Sequence, residues 1–270
     1  MNEVRIRPAE NNTVSARAVA VLGLGEAGSR LAADLAVAEA DVHGYDPVTT
    51  ETPAGVVRDH DPIAAVSGAA VVLVVTTASA ALATAEAVLA GLQPDAVYAD
   101  LNTASPELKR ELAALVAEAG ARFADVALLG TVPVRGLGTP ALASGDGARA
   151  FADLLVPLGM PVEVVSERAG DAATLKLLRS VFMKGLAASA LESLAAAEAA
   201  GHREWLEREL ASVLGEPLLE RLLEGSRKHA VRRVDEMEAA CDLLLELGIE
   251  PRIAAASAAG LAELAASGGR

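Results

Sequence analysis

A single cysteine, Cys241, stands among the 270 residues. No intrachain disulfide and no cysteine-based zinc cluster can form, and the apolar helical pattern around Cys241 makes a buried, inert thiol the expectation. Aromatic residues are almost as scarce, with one Trp, two Tyr and three Phe. A chain that is nevertheless 52% hydrophobic must build its core from Ala, Leu and Val. It also offers few rings on which bases could stack. Positive charge is short: 23 Lys and Arg face 37 Asp and Glu, for a net charge of −14. That balance argues against nucleic acid and against an anionic membrane surface as partners. The acidity is spread along the chain, so solubility accounts for it. No apolar run reaches membrane-spanning length without charge or turn residues. Residues 1 to 16 are polar and lack the apolar segment of a signal peptide. A soluble cytoplasmic protein is expected. His43 and His60 have no partner at metal-ligand spacing, so no metal is assigned.

What the chain does have is one organising stretch, Ala18 to Gly28. A Val-rich run ends in Gly23-Leu24-Gly25-Glu26-Ala27-Gly28, and a helical pattern follows with Ala27, Leu31 and Leu35 four apart. A second short strand, near Asp41 to Tyr45, ends at Asp46. This is the strand–turn–helix–strand of a dinucleotide site, with the acid about twenty residues on. Gly23 permits the tight turn, Gly25 leaves room for a diphosphate, and Gly28 allows close packing of helix on strand. The helix N-terminus offers N–H groups and partial positive charge to the phosphates. Asp46 would accept hydrogen bonds from a ribose diol and repel a 2′-phosphate, which favours NAD, with NADP as the alternative.

Strand and helix patterns then alternate. Strands are expected near Gly55–Val57, Ala70–Thr76, Ala96–Asp100, Arg122–Leu128, Ala141–Ser144 and Pro161–Val165. The run Val71–Val75 is uninterrupted, as in a parallel strand covered on both faces. The fold class is therefore α/β, a Rossmann-type doubly wound parallel sheet. Thr76 and Thr77, and then Asn102 and Thr103, fall at the carboxyl ends of strands, where such sheets bind ligands. Ordinary turn polarity and contact with nicotinamide both suit Asn102 and Thr103. Ser105 and Pro106 suit a helix N-cap and first turn. The Gly- and Pro-rich segment Gly130–Pro140 reads as a loop able to wall a substrate pocket. After about Ser166 only helical patterns remain, at about 170–200, 203–213, 217–247 and 251–266, with Leu175, Leu178, Phe182 and Leu186 on one face of the first. The expected division is a leader at 1–16, a dinucleotide-binding domain at 17–166 and an all-α domain at 167–270.

Lys176, Ser180 and Lys184 lie four apart and share one face of the long helix. They form either a solvated strip or a catalytic one. A sheltered lysine has a lowered pKa and can exchange a proton with a substrate oxygen. His229, Arg232 and Arg233 form a basic patch that either pairs with Asp235 and Glu236 or binds an anionic substrate group. Trp205 is expected in core or dimer packing.

The Gly23–Gly28 turn, Asp125 with the glycine-rich loop after it, and Gly170-x-Ala172-x-x-x-Lys176-x-x-x-Ser180 occur in an order and spacing that resemble the β-hydroxyacid dehydrogenase superfamily, which includes 6-phosphogluconate and 3-hydroxyisobutyrate dehydrogenases. The stretch His229–Glu238 resembles a branch whose C-terminal domain carried no assigned function. The resemblance implies a homodimer formed through the helical domain. It makes Lys176 the catalytic lysine and Ser180 the polar residue one turn later. It places Leu129, Gly130 and Thr131 in the substrate-binding loop, with Asn102 and Thr103 beside the nicotinamide. Lys184, His229 and Arg233 join the candidate substrate contacts. The departures are specific: Leu129-Gly130-Thr131 replaces the usual Ser-Gly-Gly, Ser180 replaces Asn, Ala172 replaces a glycine, and Asp235 stands where a lysine is common. An NAD(P)-dependent oxidoreductase acting on a small polar substrate, hydroxyacid-like and with an anionic group, is the expectation. An imine reductase-like enzyme and a non-catalytic nucleotide sensor are the alternatives.

Overall fold

The computed structural model describes residues 18–267, and the polar leader expected at 1–16 lies outside them. The chain opens with β1 (Ala18–Leu22), α1 (Glu26–Val37), β2 (Asp41–Tyr45), β3 (Val56–Arg58), α2 (Pro62–Val66) and β4 (Val71–Val74). It continues through α3 (Ala81–Val88), β5 (Val97–Asp100), α4 (Pro106–Glu118), β6 (Arg122–Leu128), α5 (Val132–Arg135), β7 (Ala141–Ser144), α6 (Ala148–Leu155) and β8 (Val162–Ser166). The eight strands form one sheet in the order β3-β2-β1-β4-β5-β6-β7-β8. Pairing is parallel except between β6 and β7. The connection reverses direction at β1, whose neighbours are β2 and β4, so a crevice opens at their carboxyl ends.

Successive side chains on a strand point to opposite faces. Val19, Val21, Val71 and Leu73 join Leu31 and Leu35 of α1 and Phe151 of α6 in one core. Ala20, Leu22, Val72 and Val74 join Val66, Val88, Leu112 and Val116 in the other. Asp61 and Ser105 cap α2 and α4, accepting from the amides of Ile63 and Leu108 at 3.0 and 3.2 Å, with Pro62 and Pro106 in the first turns.

The remaining elements are helices: α7 (Asp171–Ala199), α8 (Arg203–Leu214), α9 (Glu216–Lys228), α10 (Ala230–Glu246) and α11 (Arg252–Ser267). Leu177 packs with Met237, Ala240, Leu243, Ala254 and Leu261, and Leu194 packs with Leu219 and Leu223. No described helix is long and apolar enough to cross a membrane.

Four expectations need correction. The segment 217–247 is two helices, because His229 leaves the helical region (φ −125°, ψ 28°). The loop at 130–140 contains α5 and is pinned to α1: Arg30 donates to the Pro133 carbonyl (3.1 Å), and the Leu137 amide donates to Asp34 (2.8 Å). The α7 face bearing Leu175, Leu178 and Phe182 points to solvent, with Phe182 68% exposed, because the inward face is carried by Leu177 and small residues. Cys241 is half-buried rather than buried. Trp205 is exposed, so of its two expected roles core packing does not hold.

The β1–α1 turn is closely packed. A Cβ on Gly28 would stand 1.8 Å from the Gly23 carbonyl oxygen, whereas one on Gly25, whose φ is −67°, would meet nothing within 4 Å. Gly28→Ala should therefore lose about 3 kcal/mol or more of stability. Gly25→Ala should stay within about 1 kcal/mol of the parent. Urea unfolding of both variants checks the contrast.

Candidate active site

The carboxyl ends of β4 and β5 carry the polar residues expected there, Thr76 and Thr77 and then Asn102 and Thr103. No side chain caps the N-terminus of α1, so its first-turn amides face the crevice without a protein side chain as acceptor. Together with the open space at Gly25, this fits a bound diphosphate. The Asp46 carboxylate receives the Leu24 amide (2.7 Å) on one oxygen and the Val48 and Thr49 amides (both 2.8 Å) on the other. Partial burial opposes its ionisation, but the donors at Thr49, Val48 and Leu24 outweigh burial and hold the carboxyl below its ordinary value. Asp46 thus locks the glycine turn to the loop after β2 while keeping its charge. Arg58, which sequence reasoning missed, secures the same loop by donating to the carbonyls of Asp46 (2.7 Å) and Thr49.

At the end of β5, the Asn102 amide nitrogen donates to Asp100 (2.6 Å) and to the Thr76 hydroxyl of the β4 edge (3.2 Å). Thr77 pairs with Ser79 instead, 3.0 Å away. Thr103 accepts the Lys176 ammonium at 2.7 Å. The lysine that begins the helical half therefore reaches the ligand edge of the sheet. Burial is the main reason its pKa falls to about 8. Lys109, Lys184 and Arg232 push the same way, and Glu236 opposes them.

The start of α7 explains how Lys176 gets there. Gly170 (φ 95°) precedes the helix with no side chain to cap it, and a Cβ there would meet the Pro106 carbonyl at 2.8 Å. The sheet supplies the cap. Asp125 of β6 accepts the amides of Gly170 (3.2 Å) and Ala173 (2.9 Å), and Ser144 of β7 accepts that of Ala172 (2.9 Å). Asp125 and Asp100 are both fully buried, and Lys109 of α4 lies between them, 2.8 Å from Asp100 and 3.2 Å from Asp125.

One turn and two turns beyond Lys176, the strip is engaged by Glu236, one of the two acids that the sequence offers as partners of the basic patch. Glu236 of α10 accepts Ser180 (2.5 Å) and Lys184 (2.9 Å), and Lys184 also reaches Ser180 (3.1 Å). Burial works against the Glu236 anion, but Lys184, Ser180 and Lys176 together keep its pKa low. Burial lowers the Lys184 pKa against the pull of Glu236. The signal for Glu236 was its place on the α10 stripe that also carries Met237, Ala240 and Leu243.

The other candidates are less concentrated. Leu129 donates its amide to Pro140 (2.8 Å), and Thr131 accepts from Val134 and Arg135 at the start of α5. Arg233 is held against α9 by Ser226, 2.7 Å away. His229 links α9 to α10. Burial first, then Arg232, Lys228 and Arg233, lower its pKa, while Glu26 of the glycine turn opposes them across the crevice. Arg232, exposed on α10, is the cation of the patch felt by Lys176.

The chain matches two families: "NAD binding domain of 6-phosphogluconate dehydrogenase" over residues 18–157, and a domain of unknown function, DUF1932, over residues 197–264. A curated relative, an uncharacterized 28.5 kDa protein of Methanothermus fervidus, is 31% identical over 144 residues. That match covers 52% of this chain and 55% of the relative, so the chain spans about half the length of the curated relative it matches. The solved structure of conserved protein MTH1747, described as similar to 3-hydroxyacid dehydrogenases, is 29% identical with a TM-score of 0.73, covering 92% of this chain and 96% of the other. The Mycobacterium tuberculosis 3-hydroxyisobutyrate dehydrogenase, solved with L-serine, shares the fold at 21% identity and a TM-score of 0.79, covering 93% and 94%. With an NAD-binding sheet and a hydroxyacid-dehydrogenase-like fold, the chain belongs to the family that carries the NAD-binding domain of 6-phosphogluconate dehydrogenase.

Proposed function

We propose that the protein is an NAD-dependent oxidoreductase, able to use NADP less well, in which Lys176 is the general acid or base. The observation that carries this reading is the Lys176 ammonium 2.7 Å from Thr103, at the sheet edge where the cofactor's ring would lie. When bound, the nicotinamide supplies or accepts the hydride. Lys176 gives a proton to the substrate oxygen in reduction and takes it back in oxidation. Thr103 aims the Lys176 ammonium, and Asn102 fixes the β5 edge against Thr76. Ser180 and Lys184 act through Glu236, which keeps the second and third groups of the strip inside the protein.

The substrate is a small polar molecule with an anionic group. Leu129, Gly130 and Thr131 wall its pocket. Arg232 attracts it, assisted by His229 and Arg233. A second copy of the chain covers the exposed Leu175, Leu178 and Phe182 stripe of α7, forming a homodimer through the helical domain, residues 167–270.

Lys176→Ala should reduce kcat roughly 10²–10⁴-fold while leaving NADH affinity unchanged. The pH dependence has opposite signs in the two directions. Reduction needs the ammonium, so its rate falls as pH rises through about 8, whereas oxidation needs the free amine and rises over the same interval. Undiminished turnover in Lys176→Ala would end this reading. Phe182→Glu should convert a dimer to a monomer in light scattering after size exclusion. A wild-type monomer would refute the proposed interface.

A further inference from the structure

Lys109 lies on α4, outside the strip that carries the chemistry, yet it is 1% exposed. Its ammonium lies 2.8 Å from both the Asp100 carbonyl and the Asp100 carboxylate, and 3.2 Å from Asp125. Each carboxylate leads onward. Asp100 accepts Asn102, which also donates to Thr76, and Asn102 adjoins Thr103. Asp125 accepts the first amides of α7, the helix that carries Lys176. Lys176 then closes the circuit on Thr103.

We propose that Lys109 is the positioning residue for the catalytic amine: by bridging Asp100 and Asp125 it registers the start of α7 against the β5 edge and sets the electrostatic surroundings in which Lys176 exchanges its proton. The proposal rests on the assignment of Lys176 as acid or base. Two carboxylates fully shielded from water and adjacent on neighbouring strands need a cation between them to offset their desolvation and mutual repulsion. The two keep different appointments, one with the cofactor-side edge and one with the helical half, so a cation that satisfies both fixes their separation. Lys109 is itself held protonated, because Asp100 and Asp125 outweigh the effect of burial. The charged groups around Lys176 are Lys109 from α4, Lys184 on its own helix, and Glu236 and Arg232 from α10.

The test reads Lys176 directly and needs no substrate. The intact protein is labelled with limiting acetic anhydride at a series of pH values, and acetylation of Lys176 is followed by mass spectrometry. The wild-type midpoint should lie at about 8. Lys109→Met removes the like charge, so the midpoint should rise by about half a unit to one unit. Lys109→Arg keeps the charge and should hold the midpoint within about 0.3 units of wild type. Retained NADH binding shows that each variant is folded. Should Lys109→Met not fold, Asp125→Asn keeps an oxygen for the α7 amides but leaves the Lys109 charge less compensated, and the midpoint should fall. An unmoved midpoint in the folded charge variant, or a shift of the opposite sign, overturns the proposal. Its failure is distinct from that of the parent reading, which is decided by the turnover of Lys176→Ala.

Discussion

The N-terminus of α7 is capped from another part of the chain. Helices leave their first amides without intrahelical partners, and a side chain at the preceding residue usually takes them. Gly170 has none to offer. The acceptor is Asp125, at the middle of β6, aided by Ser144 from the antiparallel neighbour β7. A local cap would fix only where the helix starts. A cap supplied by the sheet also fixes where the helix lies. The partial positive charge at the N-terminus adds to the hold on the Asp125 anion. This one contact joins the nucleotide-binding sheet to the helical half and places Lys176 over the β5 edge.

Such a contact brings a buried charge, and the rest of the site follows from managing it. Asp125 and Asp100 are adjacent in register on β6 and β5, so their repulsion must be relieved within the sheet. Lys109 relieves it, and its own positive charge then helps keep Lys176 from holding its proton too firmly. Farther along α7 the sign reverses. Glu236 takes the ammonium of Lys184 and the hydroxyl of Ser180, and its negative charge limits how far the Lys176 pKa falls. Lys176 thus lies between a cation on the sheet side and an anion on the helical side. Burial does most to bring its pKa down to about 8, and these charges adjust it in opposite directions.

How much of this could be read in the sequence depends on whether the cause is local. The glycine turn, the helix start at Pro106 and the buried parallel strands are local, and each lies within a residue or two of its expected place. The break at His229 has no glycine or proline to mark it, so α9 and α10 read as one helix. The stripe of Leu175, Leu178 and Phe182 has the spacing of a core face, but burial on α7 follows the small residues Ala172, Ala173, Ala187 and Ala190 together with Leu177 and Leu194. The loop at 130–140 folds back on α1 through contacts more than a hundred residues distant in sequence. Lys109 and Glu236 were legible in principle. Each occupies an apolar stripe, Lys109 with Leu112 and Val116, and Glu236 with Met237 and Ala240. A charge at such a position needs a buried partner, but the stripe does not say which one.

Asp46 shows how one carboxylate can serve both folding and ligand choice. Three backbone amides already bind it, so the loop Asp46–Thr49 is shaped before any ligand arrives. Neutral donors of this kind stabilise the anion without cancelling its charge. Arg58, the nearest cation in the loop's hydrogen-bond network, spends its N–H groups on the carbonyls of Asp46, Thr49 and Glu51. A guanidinium engaged by carbonyls on several sides is poorly placed to receive a phosphate as a bidentate partner. The anion that fastens the glycine turn is therefore the same one that would disfavour a 2′-phosphate. Under the proposed function, a preference for NAD would follow from how the turn is held in place, with no separate specificity element required.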